Sequence, residues 1–96
     1  MTELDSIIHQ PVCLKVMAAL TALRAGDQLE FVTLREMLDL TDGNLSVHLR
    51  KLEDEGYVDI EKVFVGRKLL TFIRVTPKGR SAFEAHTQAL REIIGA

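Results

Sequence analysis

The stretch from Thr41 to Gly56 constrains the fold of this 96-residue chain more than any other. Thr41 is a side-chain N-cap for the helix after it. Leu45, Leu49 and Leu52 recur at helical spacing and share one face. Gly56 stands where a left-handed residue stops the helix, at about residue 55. Just upstream, Thr33-Leu34-Arg35-Glu36 fits a capping box, in which Thr33 and Glu36 satisfy each other's backbone N–H groups. That box opens a short helix with Leu34, Met37 and Leu38 at i, i+3 and i+4. Only Asp39-Leu40 then separates it from Thr41, so residues of about 33–55 read as two helices joined by a tight turn. At about 100° per residue, Gly43, Ser46, Val47, Arg50 and Asp54 point away from the leucine stripe, with Asn44 and Lys51 toward one flank.

The flanking segments complete a single domain over residues 1–96. Residues 57–65 alternate with period two, Gly66-Arg67-Lys68 reads as a turn, and residues 69–75 return as the partner strand. Thr76 caps and Pro77 starts a last helix over 77–94. On it Phe83, Leu90 and Ile94 form a stripe that Ala82, Ala89 and Ile93 widen to about 140°, more than a small core needs. Pro11 opens a first helix, about 11–24, with Val12, Val16, Ala19, Leu20 and Leu23 on one face. Its other side is also apolar: Leu14, Ala18, Ala22 and Ala25. A helix apolar nearly all round is covered on two sides. Gly26-Asp27-Gln28 is a turn and residues 29–32 a short extended segment. A chain this size buries only about 60–65% of its unfolded surface, so oligomerisation would help it. Leu14, Ala18, Phe83, Leu90, Ile93 and Ile94 are therefore the expected interface of a homodimer. The class is α+β, mainly helical.

The total charge of −2 hides a strong asymmetry. Residues 1–42 carry three basic and seven acidic side chains, residues 43–80 eight and five, and residues 81–96 one and two. Lys62, Arg67, Lys68, Arg74, Lys78 and Arg80 follow one another with no acid between them. A localised basic stripe is the footprint of a polyanion partner. No apolar run approaches the roughly 18 residues needed to span a bilayer, and Met1-Thr2-Glu3-Leu4-Asp5 is acidic. Neither a membrane anchor nor a signal peptide is expected. The lone Cys13 forms no internal disulfide and fits a reducing cytoplasm.

The order helix, short strand, helix-turn-helix, basic hairpin, helix is that of a winged helix. Residues 41–58, Thr41-Asp42-Gly43-Asn44-Leu45-Ser46-Val47-His48-Leu49-Arg50-Lys51-Leu52-Glu53-Asp54-Glu55-Gly56-Tyr57-Val58, resemble the recognition-helix signature of the small MarR/ArsR-like transcriptional regulators. So do residues 11–20 and Val75-Thr76-Pro77-Lys78-Gly79-Arg80. The resemblance implies that the helix after the turn enters the DNA major groove, the wing touches backbone or minor groove, and the terminal helices dimerise. Carried over, the DNA-contacting residues are Asn44, Ser46, Val47, Arg50 and Lys51, with Arg67 and Lys68 on the wing. The partner would be double-stranded DNA with a pseudo-palindromic operator. The chain departs from metal-sensing relatives in having no Cys pair.

Each sharp reading has a plainer rival. Arg50 and Lys51 could be solvated charges, but small Gly43 and Ser46 beside them let a helix approach base edges, and exposed Val47 suits a thymine methyl group. Arg67 and Lys68 could merely guard a sheet edge; the surrounding stripe favours phosphate. Arg74 and Arg80 are balanced between backbone contact and surface charge. His48 is expected at the edge of the core. Ser46 and His48 lie about 200° apart on their helix and make no nucleophile–base pair. His9 and Cys13 are interrupted by Pro11, and two ligands do not make a metal site. Cys13 is expected as a buried, inert thiol, and His86 as a core or interface histidine. No carboxylate pair, phosphate-cradling loop or triad is present, so an enzyme is not expected. No cofactor is expected either. The competing class is a winged-helix module that docks onto protein without binding DNA.

Overall fold

A computed structural model describes residues 3–95. Its elements are α1 (Pro11–Thr21), β1 (Leu29–Glu30), α2 (Phe31–Met37), α3 (Asp42–Asp54), β2 (Val58–Val65), β3 (Lys68–Val75) and α4 (Pro77–Ile94). The strands form one antiparallel sheet of order β1-β3-β2. This is the mainly helical α+β architecture expected. Among the described residues no helix is long and apolar enough to cross a membrane.

Local chemistry set several boundaries as expected. The Thr41 hydroxyl accepts from the Asn44 amide, and that of Thr76 from the Gly79 amide, so both helices begin where their caps dictate. Gly56 follows α3 with φ +77°, the left-handed conformation glycine adopts at least cost. Leu45, Leu49 and Leu52 are all buried.

Three expectations are corrected. The first helix ends at Thr21, not near residue 24. There the Thr21 hydroxyl bonds back to the Met17 carbonyl at 2.7 Å, and the Arg80 guanidinium takes the carbonyls of Thr21 and Leu23 at 3.0 and 3.3 Å. Side chains thus replace the helical partners those carbonyls would otherwise need. The buried line of α1 is Cys13, Val16, Met17 and Leu20, so the inner face is rotated from the expected one, and Val12 and Ala19 are only partly covered.

The second correction concerns the start of the helix-turn-helix. α2 begins at Phe31, and Thr33 lies inside it; no capping box forms, and the capping position, Glu30, makes no side-chain cap bond. Pairing of Leu29 with Ile73 and Glu30 with Phe72 fixes the chain up to residue 30, so the helix starts directly after the sheet. Phe31, Leu34 and Leu38 then face the core, while Met37 is exposed. Asp39, at φ +54°, ends the helix, and Arg35 bridges the turn to Asp42 at 2.7 Å.

The third correction is at the wing tip. The turn is Gly66-Arg67 alone, because Lys68 already pairs with Val65 as the first residue of β3. The two faces of this ribbon differ. The pairs Val58–Val75 and Ile60–Ile73 share a face that packs on the core, with α3 on the other side of the buried leucines.

Candidate nucleic-acid interface

With its leucines turned inward, α3 presents Gly43, Asn44, Ser46, Val47 and Arg50 to the outside, all exposed. Val47 leaves 55% of its surface uncovered. The Arg50 guanidinium has no hydrogen-bond or ion partner among the described residues. The Asn44 backbone amide is spent on capping, and its carbonyl accepts from Nδ1 of His48 at 2.7 Å. His48 therefore folds back along its own helix instead of reaching outward. Lys51 differs from its neighbours: its Nζ donates to Oε1 of Gln10 at 3.0 Å, tying α3 to the start of α1. It sits on the flank, as the residue spacing implied, and is held toward the domain body.

Between α3 and the wing lies an open cleft of about 790 Å³. Ser46, Leu49, Arg50 and Glu53 form one wall, Ile60, Lys62 and Thr71 the other, with Phe31 completing the lining. Lys62 and Thr71 are cross-strand partners on the face that also carries Ile60 and Ile73. Lys62 is a cleft residue absent from the expected site. The period-two phase of residues 57–65 puts it on that face, which is the signal by which the sequence could have revealed it.

The basic stripe divides into two groups. Arg74 pairs with Asp59 across the ribbon at 3.6 Å. Lys78 donates to the Glu55 carbonyl at 2.7 Å, capping the end of α3, and its Nζ lies 5.5 Å from the centre of the Tyr57 ring. Arg80 caps α1. These three cations hold the fold. Lys62, Arg67 and Lys68 have no hydrogen-bond or ion partner among the described residues and are all exposed. The unpaired cations of this stripe therefore lie on the wing, where Lys62 faces Arg50 across the cleft and Arg67 and Lys68 stand at the tip; Lys15 and Arg91 are exposed elsewhere.

The expected dimer residues fall into two classes. Leu14 and Phe83 are half-buried against the domain's own core, and Leu90 is half-buried. Ala18 is exposed, and Ile93 and Ile94 leave 65% and 72% of their surface uncovered. An apolar patch therefore persists at the end of α4.

Away from the cleft, His86 is wholly buried. Its Nδ1 accepts the Asp5 amide at 3.0 Å, so the ring proton sits on Nε2, which points at Nδ1 of His9 at 3.4 Å. Burial, and then the neighbouring His9, push the His86 pKa below its ordinary value, against the pull of Asp5. Cys13 is also buried, and burial pushes its thiol pKa up, the setting of an unreactive cysteine. Among the described residues no three His, Cys, Asp or Glu side chains gather as a metal ion would need.

Comparison with known proteins matches residues 12–94 to the model of the winged helix DNA-binding domain family. An uncharacterised protein of Methanocaldococcus jannaschii is 38% identical over 87 residues, 91% of either chain. The structure of a transcriptional regulator homologue from Pyrococcus horikoshii superposes with TM-score 0.84 at 32% identity, covering 93% of this chain and 85% of that one. The overoxidized AbfR bound to DNA, a protein of Staphylococcus epidermidis, superposes with TM-score 0.70 at 24% identity, covering 83% of this chain and 56% of its own. That last likeness is one of fold.

Proposed function

The chain belongs to the winged helix DNA-binding domain family, of the MarR/ArsR-like kind its sequence resembles, and from that premise we propose that it is a dimeric, sequence-specific transcriptional regulator. The family is one of DNA-binding domains and not of enzymes. In this reading α3 enters the major groove, where Asn44, Ser46, Val47 and Arg50 meet base edges. The wing lies along the backbone or minor groove, with Lys62, Arg67 and Lys68 on phosphates. Lys51 contacts a phosphate at the flank once it leaves Gln10.

One observation carries the reading. Arg50 and Lys62, both exposed and without an internal partner among the described residues, face each other across the cleft between α3 and the wing, and Arg67 and Lys68 extend that unused charge to the wing tip. A module that only docked onto protein would have no need of unpaired Arg50, Lys62, Arg67 and Lys68 gathered on α3 and the neighbouring wing. The fold shared with AbfR, which was captured on DNA, supports the same docking. The dimer is carried by the uncovered end of α4, with Ala18 on α1 as the second patch. Two-fold symmetry would then give a pseudo-palindromic operator, with half-sites about one turn, 10–10.5 bp, apart.

The test is selection of bound sequences from random duplexes, followed by gel shifts at graded salt. A recovered inverted repeat, bound at least tenfold more tightly than its scramble, is expected. Failure to enrich any sequence, with no shift even at low salt, would point to the protein-docking alternative.

A further inference from the structure

The wing carries apolar surface that phosphate binding leaves unexplained. Phe64 exposes 73% of its surface and Leu69 52%. The two are cross-strand partners, one rung short of the Val65–Lys68 pair that closes the hairpin. Because side chains alternate across a ribbon, Phe64 and Leu69 share a face with Lys62 and Thr71, then Ile60 and Ile73, then Val58 and Val75. That face is buried at its inner rungs, lines the cleft opposite Ser46 and Arg50 at Lys62–Thr71, and ends in the uncovered Phe–Leu pair. The apolar pair is thus a continuation of the candidate DNA interface, about 7 Å further along the strands at 3.3 Å per residue.

Its surroundings choose the occupant. Lys62 lies one rung inward and Arg67 and Lys68 lie at the tip. The acids of the ribbon, Asp59 and Glu61, alternate onto the opposite face together with Glu30 of β1. Cations flank the apolar pair on either side along the ribbon, and the ribbon's own carboxylates are turned away, leaving Glu53 of α3 as the acid that lines the cleft. This arrangement matches a polyanion whose interior is apolar. Stacked base pairs between two phosphate rows are such a partner.

We propose that Phe64, backed by Leu69, is a wedge that enters the minor groove next to the major groove read by α3 and partly unstacks one base step. Lys62, Arg67 and Lys68 hold the phosphates on either side. The inference rests on the DNA-binding reading and adds a second source of specificity. Inserting an apolar side chain bends the duplex and is cheapest at flexible pyrimidine–purine steps, so the wing selects such a step without hydrogen-bonding to any base.

The experiment uses the full chain and the duplex recovered by selection, with 2-aminopurine replacing adenine at successive positions under the wing. Wild type is expected to raise the fluorescence at one step as the base unstacks, and to bend the duplex by roughly 20–90°, measured by energy transfer between its ends. Phe64→Ala should abolish both signals, weaken binding by about 5- to 150-fold, and flatten the preference for TA or CA/TG at that step. Phe64→Leu should restore part of each. Melting of the variants should stay close to wild type, since Phe64 leaves 73% of its surface uncovered and lies outside the core. Tight binding by wild type with every probe stacked and the duplex straight would overturn the wedge and leave the regulator reading intact. So would full bending by Phe64→Ala. A change in the sedimentation of DNA-free protein on Phe64→Ser would make the tip a contact between copies and also overturn it. No binding of wild type to any duplex would remove the DNA reading itself, and the wedge with it.

Discussion

The hydroxyl of Tyr57 donates a 2.5 Å hydrogen bond to Oδ2 of Asp5, joining the segment before α1 to the residue that leads into β2. The other oxygen of Asp5 accepts the amides of Ile7 and Ile8, and its own amide goes to His86. One carboxylate thus organises the N-terminal turn and pins it between α4 and β2. Burial alone would raise the Asp5 pKa; the bonds from Tyr57, Ile8 and Ile7, with His86 nearby, outweigh it and leave the carboxyl below its usual value. The same bond, with burial, pushes the Tyr57 hydroxyl up to about 12.

His86 and Tyr57 each make stability depend on pH, and the lowered Asp5 adds a further loss as pH falls below its ordinary 3.8. His86 has a folded pKa below its ordinary 6.5. Its contribution is therefore complete above pH 6.5 and is lost as pH falls through that value toward the folded pKa. Tyr57 has the opposite sign: its contribution is complete below its ordinary pKa of 10 and is lost as pH rises from there toward 12. Thermal melts of wild type should fall from pH 7.5 to 5 and again above pH 10. His86→Gln, which keeps an acceptor for the Asp5 amide, should flatten the acid limb. Tyr57→Phe should flatten the alkaline limb and cost about 1–3 kcal/mol at neutral pH. Unchanged profiles in both variants would contradict the network.

Gly79 meets a different constraint. A Cβ built there would overlap the carbonyl oxygen of Tyr57 and lie 2.8 Å from its carbon. That carbonyl also accepts the Thr76 amide at 3.0 Å, so the start of α4 is pressed directly onto the backbone entering the wing. Gly79→Ala must push α4 off β2, and we expect it to cost about 3 kcal/mol, the upper end for overpacking. Chemical denaturation measures this. Because Thr76 also bonds the carbonyl of Gly56 at 2.6 Å, the displacement should propagate to the end of α3, and DNA affinity should fall with stability.

Leu49 separates structural from contact residues on α3. It is buried at 2% exposure, facing the core one turn from Leu45, although it also edges the cleft. Leu49→Ala should cost about 2–5 kcal/mol, a large share of the 5–15 kcal/mol typical of a domain. A variant that melts like wild type but no longer binds DNA would show that the leucine stripe is placed on the wrong face.

Range along the chain decides which of these features are legible in the sequence. The caps at Thr41 and Thr76, the stop at Gly56 and the Leu45/Leu49/Leu52 stripe depend on neighbours within a few turns, and the sequence carries them openly. The start of α2 does not, because the pairing of Leu29 with Ile73 overrides a plausible capping box. The inner face of α1 is hidden because a helix apolar nearly all round gives periodicity nothing to grip. Nor does spacing sort the basic stripe: Arg80 reaches a carbonyl 59 residues away and Lys78 one 23 residues away, while Lys62 reaches neither. Long-range partners decide which cations remain available for DNA.

The exposed end of α4 gives the test of the dimer. Ile94 is 72% uncovered, so Ile94→Glu should leave the fold of the monomer intact. If α4 joins two subunits, the variant should sediment as a monomer and bind the operator far more weakly, losing half-site cooperation together with self-association. A wild type that is monomeric at micromolar concentration and still binds tightly would exclude the dimer.

Arg50 and Lys68 should make two different kinds of DNA contact. Arg50 is exposed on the outer face of α3, beside the cleft, with no internal partner among the described residues. Its planar fork can grip O6 and N7 of a guanine, which a point charge cannot do. Lys68 pairs with Val65 at the tip of the ribbon, on the face turned from the cleft. From there its flexible ammonium can reach a phosphate at the flank but not a base edge read by α3. Arg50→Ala should cost about 1–3 kcal/mol on the selected operator and relax the preference at one base pair per half-site. Lys68→Ala should weaken binding to all sequences alike and lower the salt slope by about one unit for each phosphate it no longer neutralises. A dimer repeats each interaction, so both effects could approach twice these figures. Salt titrations of each variant on operator and scrambled duplex measure the two together. A sequence-independent loss from Arg50→Ala and a base-specific loss from Lys68→Ala would mean that the wing, not α3, reads the sequence.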